Sequence, residues 1–471
     1  MKKKAKSNFT KNVMFLMISQ IIVKIFGLIY RLYLTNKVGF GDMGNAIFSA
    51  AFQVYALFLT ISSIGVPNAI ASLVSNRLSK GNSKEAYRIF KIAFAIFGTI
   101  GFTIGMSLYL LSYKISYIYL KMPEAEETLK ILSPSIFVVS IEAVLKGYFN
   151  GKEQIKNTAN AVAIEQIAKS ISTIIIVEII AHLSINNTVL MCEGVAIATF
   201  LSNIISVIYL LIKYIFERKN IYTDLITSKQ YKRERIKIII KNIMQIAVPI
   251  SLSAMLSMLT KTVDTFTIIR LGEKIVGMEK IKLQYGILSG KVETLIATPY
   301  SFNIAFSTTL IPTISALKAK NDIKLIKRRI KTSISATILM GLPITMVMSI
   351  FSELILSILF PNASLGAELL RISAWNIIIV MLIQTISGAL QGLGDVKTPV
   401  KALFVGGILK LILNFMLIPI KNLCIKGAII SSIVSQFTTL LICYKNLRNQ
   451  LKEETKTTRI SINKKRKTIK I

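Results

Sequence analysis

Residues 147–156 read Gly147-Tyr-Phe-Asn-Gly-Lys-Glu-Gln-Ile-Lys156, and 241 residues later the chain reads Gly388-Ala-Leu-Gln-Gly-Leu-Gly-Asp-Val-Lys397, aligned without a gap. Each string joins two apolar stretches: residues 129–149 and 159–181 flank the first, and 366–391 and 400–419 the second. At the same offset Lys169 falls on Lys410, both in the middle of an apolar stretch. Near offsets relate Val66-Pro-Asn-Ala-Ile-Ala-Ser-Leu73 to Ile311-Pro-Thr-Ile-Ser-Ala-Leu317, and the pair Lys24 and Arg31 to Lys261 and Arg270. Gly-rich turns between helices can resemble one another by chance. A match that reaches a pair of lysines inside apolar segments is better explained by an internal repeat.

Outward from these turns, apolar stretches of about 20 residues recur, the length at which a helix crosses a bilayer core about 30 Å thick. They cover residues 12–34, 45–74, 89–113, 129–149, 159–181, 191–212, 243–269, 284–315, 332–352, 366–391, 400–419 and 426–444. The chain has 471 residues, 53% of them hydrophobic, with a formal net charge of +35 and a mean hydropathy of +0.60. Soluble globular domains do not combine these values. A nucleic-acid binder would carry its cations on a folded, water-exposed face, whereas these lie in short loops between apolar spans, so no nucleic-acid partner is expected. Counted with the N-terminus inside, inside segments hold more than four times as many Lys and Arg as outside ones. That bias predicts a multi-pass protein of the cell (plasma) membrane with both termini cytoplasmic.

The predicted fold is an all-α integral membrane protein of about twelve transmembrane helices, arranged as two six-helix bundles. The divisions are a basic cytoplasmic N-terminus over 1–11, an N-terminal bundle over 12–212, a basic cytoplasmic linker over 213–242, a C-terminal bundle over 243–445 and a basic cytoplasmic tail over 446–471. The linker includes Tyr231-Lys-Arg-Glu-Arg235; the tail includes Lys464-Lys-Arg-Lys467 and is expected to be disordered. Six spans per half start both halves on the same side, which makes them parallel repeats, a common plan among secondary transporters with a midplane site.

Charges within spans point to the chemistry, because each costs several kcal/mol, roughly 2.5 to 3.5, on insertion. The first span holds Lys24 and Arg31, the seventh Lys261, Asp264 and Arg270, and the eighth Lys291 and Glu293. Their cations are expected to converge on a cavity that attracts an anion. Arginine forks two hydrogen bonds to a phosphate, and lysine offers a compact charge. Arg31 and Arg270 lie near span ends and could equally snorkel to the interface. Glu165 and Lys169, four apart, read as an internal ion pair. Glu178 and His182 read as an interfacial contact rather than a proton relay. Asp264 is suited to a sodium ion or a proton. Pro67, Pro249, Pro299, Pro312 and Pro343 can bend their helices. Gly39, Gly41 and Gly44 suggest a tight turn, and Tyr109, Tyr113, Tyr117 and Tyr119 an interfacial belt.

Enzymatic readings are weak. Cys192, Cys424 and Cys443 lack C-x-x-C spacing, His182 is the one histidine, and there is no P-loop, so a metal centre or ATP hydrolysis is not expected. The first apolar run lacks a small-residue cleavage site, so a cleavable signal peptide is not expected.

Gly27-Leu-Ile-Tyr-Arg31, Gly41-Asp-Met-Gly-Asn-Ala-Ile-Phe48, Tyr55, Ile64-Gly-Val-Pro67 and Ala69-Ile-Ala-Ser-Leu-Val74 resemble the start of the polysaccharide transporters typified by stage V sporulation protein B. The likeness continues through Tyr285-Gly-Ile-Leu-Ser-Gly-Lys291, Leu310-Ile-Pro-Thr-Ile-Ser315, Leu390-Gln-Gly-Leu-Gly394, Lys410 to Pro419 and Gly427-Ala-Ile-Ile-Ser-Ser432. That family sits in the multidrug, oligosaccharidyl-lipid and polysaccharide flippase superfamily, together with MurJ lipid II flippases and the multidrug and toxin extrusion (MATE) antiporters. The resemblance implies a V-shaped pair of bundles and a non-enzymatic monomer. It implies translocation of a polyprenyl-diphosphate-linked sugar precursor to the outer leaflet by alternating access, with membrane lipids as the surrounding partner. Lys24, Arg31, Lys261, Arg270 and Lys291 would bind the substrate. Asp264 and Asn414, in the seventh and eleventh spans, would serve cation coupling by Na+ or H+, with no other cofactor. The alternative is a cation-coupled multidrug antiporter. Two departures stand out: Ala56-Leu-Phe-Leu59 replaces a basic pair expected in the second span and Asn45 an acid, and twelve spans are predicted where many relatives have fourteen. The lipid tail would then be held differently.

Overall fold

Helix is what a chain buried in hydrocarbon must form, since only helices and closed barrels satisfy every backbone N–H and C=O within the span. A computed structural model describes residues 2–183, 187–228, 233–319 and 322–468. The chain forms two compact units, Met1–Arg270 and Leu271–Ile471.

The first unit contains α1 (Lys2–Asn36), α2 (Gly41–Ser63), α3 (Val66–Ser79), α4 (Ser83–Lys114), α5 (Glu126–Gly151), α6 (Ile155–Leu183), α7 (Thr188–Phe216), the short α8 (Arg218–Ile226) and most of α9 (Ile236–Val276). A π-helical segment, Ile115–Tyr119, ends α4. Its core joins Ile70, Val74, Phe90, Tyr148 and Phe149 to Ile239, Ile243 and Ala247 of α9. The second unit contains α10 (Met278–Gly286), a π-helical segment (Ile287–Val292), α11 (Glu293–Ala319), α12 (Ile323–Ile350), α13 (Ser352–Leu359), α14 (Ala367–Ser373), α15 (Trp375–Gly392), α16 (Lys397–Leu417) and α17 (Ile425–Thr468). Leu310, Ile314, Ile326, Ile386, Leu390 and Cys443 lie in its core.

Among the described residues, nine helices are long and apolar enough to cross a membrane. With α1, α6 and the helix running through 287–319 they follow the order of the twelve predicted spans. The second span is broken at Gly65 between α2 and α3, where Pro67 occupies the first turn of α3. A Cβ at Gly65 would lie 2.1 Å from the Ala247 carbonyl oxygen of α9, so only glycine allows this approach. The turn at Gly39 and Gly41 has positive φ at both (90° and 49°), the tight turn the sequence suggested. Tyr109, Tyr113, Tyr117 and Tyr119 are all exposed, as an interfacial belt requires.

The connections between the bundles and beyond them carry more structure than the sequence announces. The compact units meet at Arg270, within the seventh span, and residues 213–242, expected as the linker, belong to the first of them. Those residues are mostly ordered: α7 continues to Phe216, and Lys152 holds Glu217 (3.6 Å) and Asp224 (3.7 Å) of the α8 region. Arg77 pairs with Glu234, and Arg88 donates to the Glu234 carbonyl at 2.7 Å. Tyr231 and Lys232 lie outside the described residues. Finally, the tail expected to be disordered continues α17 as helix to Thr468. Asp395, between α15 and α16, fastens α17: it accepts from Gln450 (2.5 Å) and from the backbone N–H groups of Lys397 and Thr398. Burial would raise its pKa, but these hydrogen bonds outweigh burial and hold it below the usual carboxylate value.

The repeat is visible in packing. Gly147 and Gly151 of α5 meet Pro67, Ile70, Ala71 and Val74 of α3; Gly388 and Gly392 of α15 meet Ser307, Ile311 and Ile314 of α11. Small residues four apart let helix backbones approach closely in a membrane.

Candidate functional site

The first unit gathers cations around α1 and α2. Arg31 leaves α1 toward α2, where Nη1 donates to Asn45 Oδ1 and Nη2 to Ser49 Oγ, both at 3.3 Å. Asn45 is fully buried and fixed by its own donation to Thr35 Oγ1 at 2.9 Å. The amide that departs from the family's acid is therefore a neutral acceptor for Arg31, and leaves the guanidinium charge uncompensated among the described residues. Lys24 is exposed two turns earlier on α1, and Lys261 is exposed on α9. Lys24 and Lys261 therefore lie in the same unit.

Arg270 behaves differently. Its Nη2 donates to the Ile118 carbonyl at 2.8 Å, while Tyr119 and Phe266 meet edge to face at 6.3 Å. The π-helical end of α4 exposes carbonyls that a guanidinium can satisfy, so Arg270 ties α9 to α4. Lys291 lies in the second unit, fully buried, with Nζ on the Ala363 carbonyl at 2.6 Å. Asp264 is partly buried on α9, and Asn414 is buried on α16 in the other unit. Among the described residues no three His, Cys, Asp or Glu side chains cluster as a metal site.

A polar network joins α5, α6 and α7, and sequence reading paired it otherwise. Lys146 of α5 binds Glu142 at 2.7 Å, one turn away, and Glu165 of α6 at 3.6 Å. Ser206 of α7 donates to Glu142. The expected Glu165–Lys169 ion pair is not the arrangement seen: Lys169 instead places Nζ over the rings of Phe52 (5.0 Å) and Tyr30 (5.5 Å). Lys146 was missed as a site residue, although its i, i+4 spacing from Glu142 was a readable signal. Glu178, one turn from His182, pairs with Lys37 and accepts from Tyr33 Oη, both at 2.5 Å.

Helices that cross the membrane in repeated order, with cations held inside them, are the plan of a secondary transporter. The chain belongs to the polysaccharide biosynthesis protein family, whose model matches residues 9–318. A second model, MatE, matches residues 249–416. The chain is 25% identical to the lipid II flippase MurJ of Bacillus subtilis (strain 168), over 92% of this chain and 81% of that protein. It is 19% identical to stage V sporulation protein B of the same organism, over 93% and 83%. Among solved structures, an inward-facing MATE-family multidrug resistance transporter superposes with TM-score 0.74 at 13% identity, over 94% of this chain and 99% of that one. An inward-closed MurJ gives 0.70 at 16%, over 95% and 91%. At these identities the structural matches establish the fold.

Proposed function

We propose that this protein moves a polyprenyl-diphosphate-linked sugar precursor from the cytoplasmic to the outer leaflet of the plasma membrane, with both termini cytoplasmic. The observation that carries the reading is Arg31. A guanidinium inside an apolar span, held by two neutral acceptors, keeps its charge for an anion, and Lys24 and Lys261 add two more cations to the same unit. A diphosphate suits that chemistry, because arginine grips two of its oxygens at once. The likeness to a lipid II flippase supplies the substrate class. An inside-negative potential favours outward movement of an anion by about 2.3 kcal/mol per charge per 100 mV, so voltage can drive the step. If a cation is coupled instead, sodium or a proton, Asp264 and Asn414 are the candidates to feel it. Lys291, donating within its own unit, enters this reading as a support of the second unit. Arg270 enters it as a tie between α9 and α4.

The test is transfer of a fluorescent polyprenyl-diphosphate disaccharide in liposomes, followed by its accessibility to an external quencher. Arg31→Ala and Lys24→Ala should each slow transfer about tenfold or more, the loss expected for one charge-assisted contact. The MATE-fold likeness favours a second reading, a cation-coupled drug antiporter. Efflux of a cationic dye under a sodium or proton gradient, without lipid transfer, would select it.

A further inference from the structure

One face of α2 carries Asn45, Ser49 and Phe52 at positions i, i+4 and i+7. Arg31 lies against the first two and the Lys169 ammonium over the third. Ser49 and Phe52 are separated by about 4.5 Å of helix rise, so two cations from different helices, α1 and α6, stand roughly one turn apart along a single face. Neither forms an ion pair with a carboxylate among the described residues. Glu165, the carboxylate one turn from Lys169 on α6, is engaged by Lys146, which also serves Glu142. Among the described residues Lys169 forms no ion pair: its ammonium sits over the Phe52 and Tyr30 rings and beside the Tyr30 hydroxyl, and Glu165 acts on it only across a longer gap. Aromatic rings steady an ammonium without neutralising it, so an anion can still bind.

We propose that Lys169 is a second phosphate-binding residue, which with Arg31 recognises a diphosphate rather than a monophosphate. The inference rests on the flippase reading. Two phosphoryl groups joined through one oxygen span neighbouring sites of this kind: Arg31 takes one group by its planar fork, and Lys169 takes the other as a point charge. The seat on Phe52 and Tyr30 fixes where the ammonium stands, and Glu165 makes its ion pair with Lys146 rather than with Lys169.

Binding to the purified full-length protein decides this, with a short-chain prenyl-diphosphate-linked N-acetylglucosamine and the matching prenyl monophosphate sugar as probes. Wild type should prefer the diphosphate. Lys169→Met should weaken diphosphate binding about tenfold while leaving the monophosphate nearly unchanged, and Lys169→Arg should restore most of the loss. Lys169→Met binding both probes as wild type does would overturn the proposal. In wild type, the diphosphate should protect Lys169 from acetylation, read by mass spectrometry, more than the monophosphate does; equal labelling in all three states would also overturn it. That second measurement stands whether or not the variant folds. If wild type binds neither probe, the flippase reading itself fails, an outcome distinct from binding that ignores Lys169.

Discussion

Lys146 shows what a buried charge costs when its partners are chosen for it. Its ammonium meets Glu142 at 2.7 Å and Glu165 at 3.6 Å, and Glu142 is 1% exposed. Removing one partner of such a set leaves an uncompensated ion in low dielectric, whereas removing both ends can be nearly neutral. Lys146→Met should therefore destabilise the protein by about 3 to 5 kcal/mol, read as a lower melting temperature in detergent. The double variant Glu142→Gln with Lys146→Met should recover much of that loss. Equal destabilisation by the single and double variants would mean the network contributes packing rather than charge balance. The candidate site was partly legible at this scale. Lys24, Arg31 and Lys261 stood out because charges in apolar spans are rare, but Glu165 and Lys169 were paired by spacing on one helix. Sequence separation sees partners on the same helix only; Lys146 and Phe52 come from other helices, and the three-dimensional neighbours prevailed.

At the scale of elements, the repeat was read in the turns and its register was settled in the packing. Sequence matched Pro67 with Pro312, an offset of 245. Contacts place Gly151 on Ala71 and Val74, and Gly392 on Ile311 and Ile314, an offset of 240 for α3 against α11. The prolines attracted the alignment, yet the close helix crossing is set by where a missing Cβ lets backbones meet. A Cβ at Gly388 would lie 2.8 Å from the Ser307 carbonyl oxygen, and backbone there cannot easily yield. Gly388→Val should cost about 1 to 3 kcal/mol through overpacking, measurable as a fall in melting temperature or in folded yield. A variant as stable as wild type would show that α15 can shift away from α11. Other elements were invisible in the sequence, among them the π-helical segments at 115–119, whose Ile118 carbonyl takes Arg270, and at 287–292, which carries Lys291. Such segments insert one residue into the helical ladder without any residue type that announces it.

For the whole molecule, the distribution of Lys and Arg predicts that both ends face the cytoplasm. Epitope tags at each terminus should resist external protease in intact cells and be cleaved after permeabilisation; cleavage of either tag in intact cells would reverse the topology. The sequence by itself determined the membrane class, the number and order of the spans and the internal repeat. These depend on local apolar length and on a duplication written in order along the chain. Only the tertiary structure decided which cations keep their charge and which spend it on protein atoms. Arg31 meets neutral acceptors, Lys169 meets rings, and Arg270 and Lys291 meet carbonyls. Composition can count charges inside a membrane, but what a charge does depends on the atoms a few ångströms away. Most of those atoms belong to helices distant in sequence, and that is why the fold was legible and the site only in part.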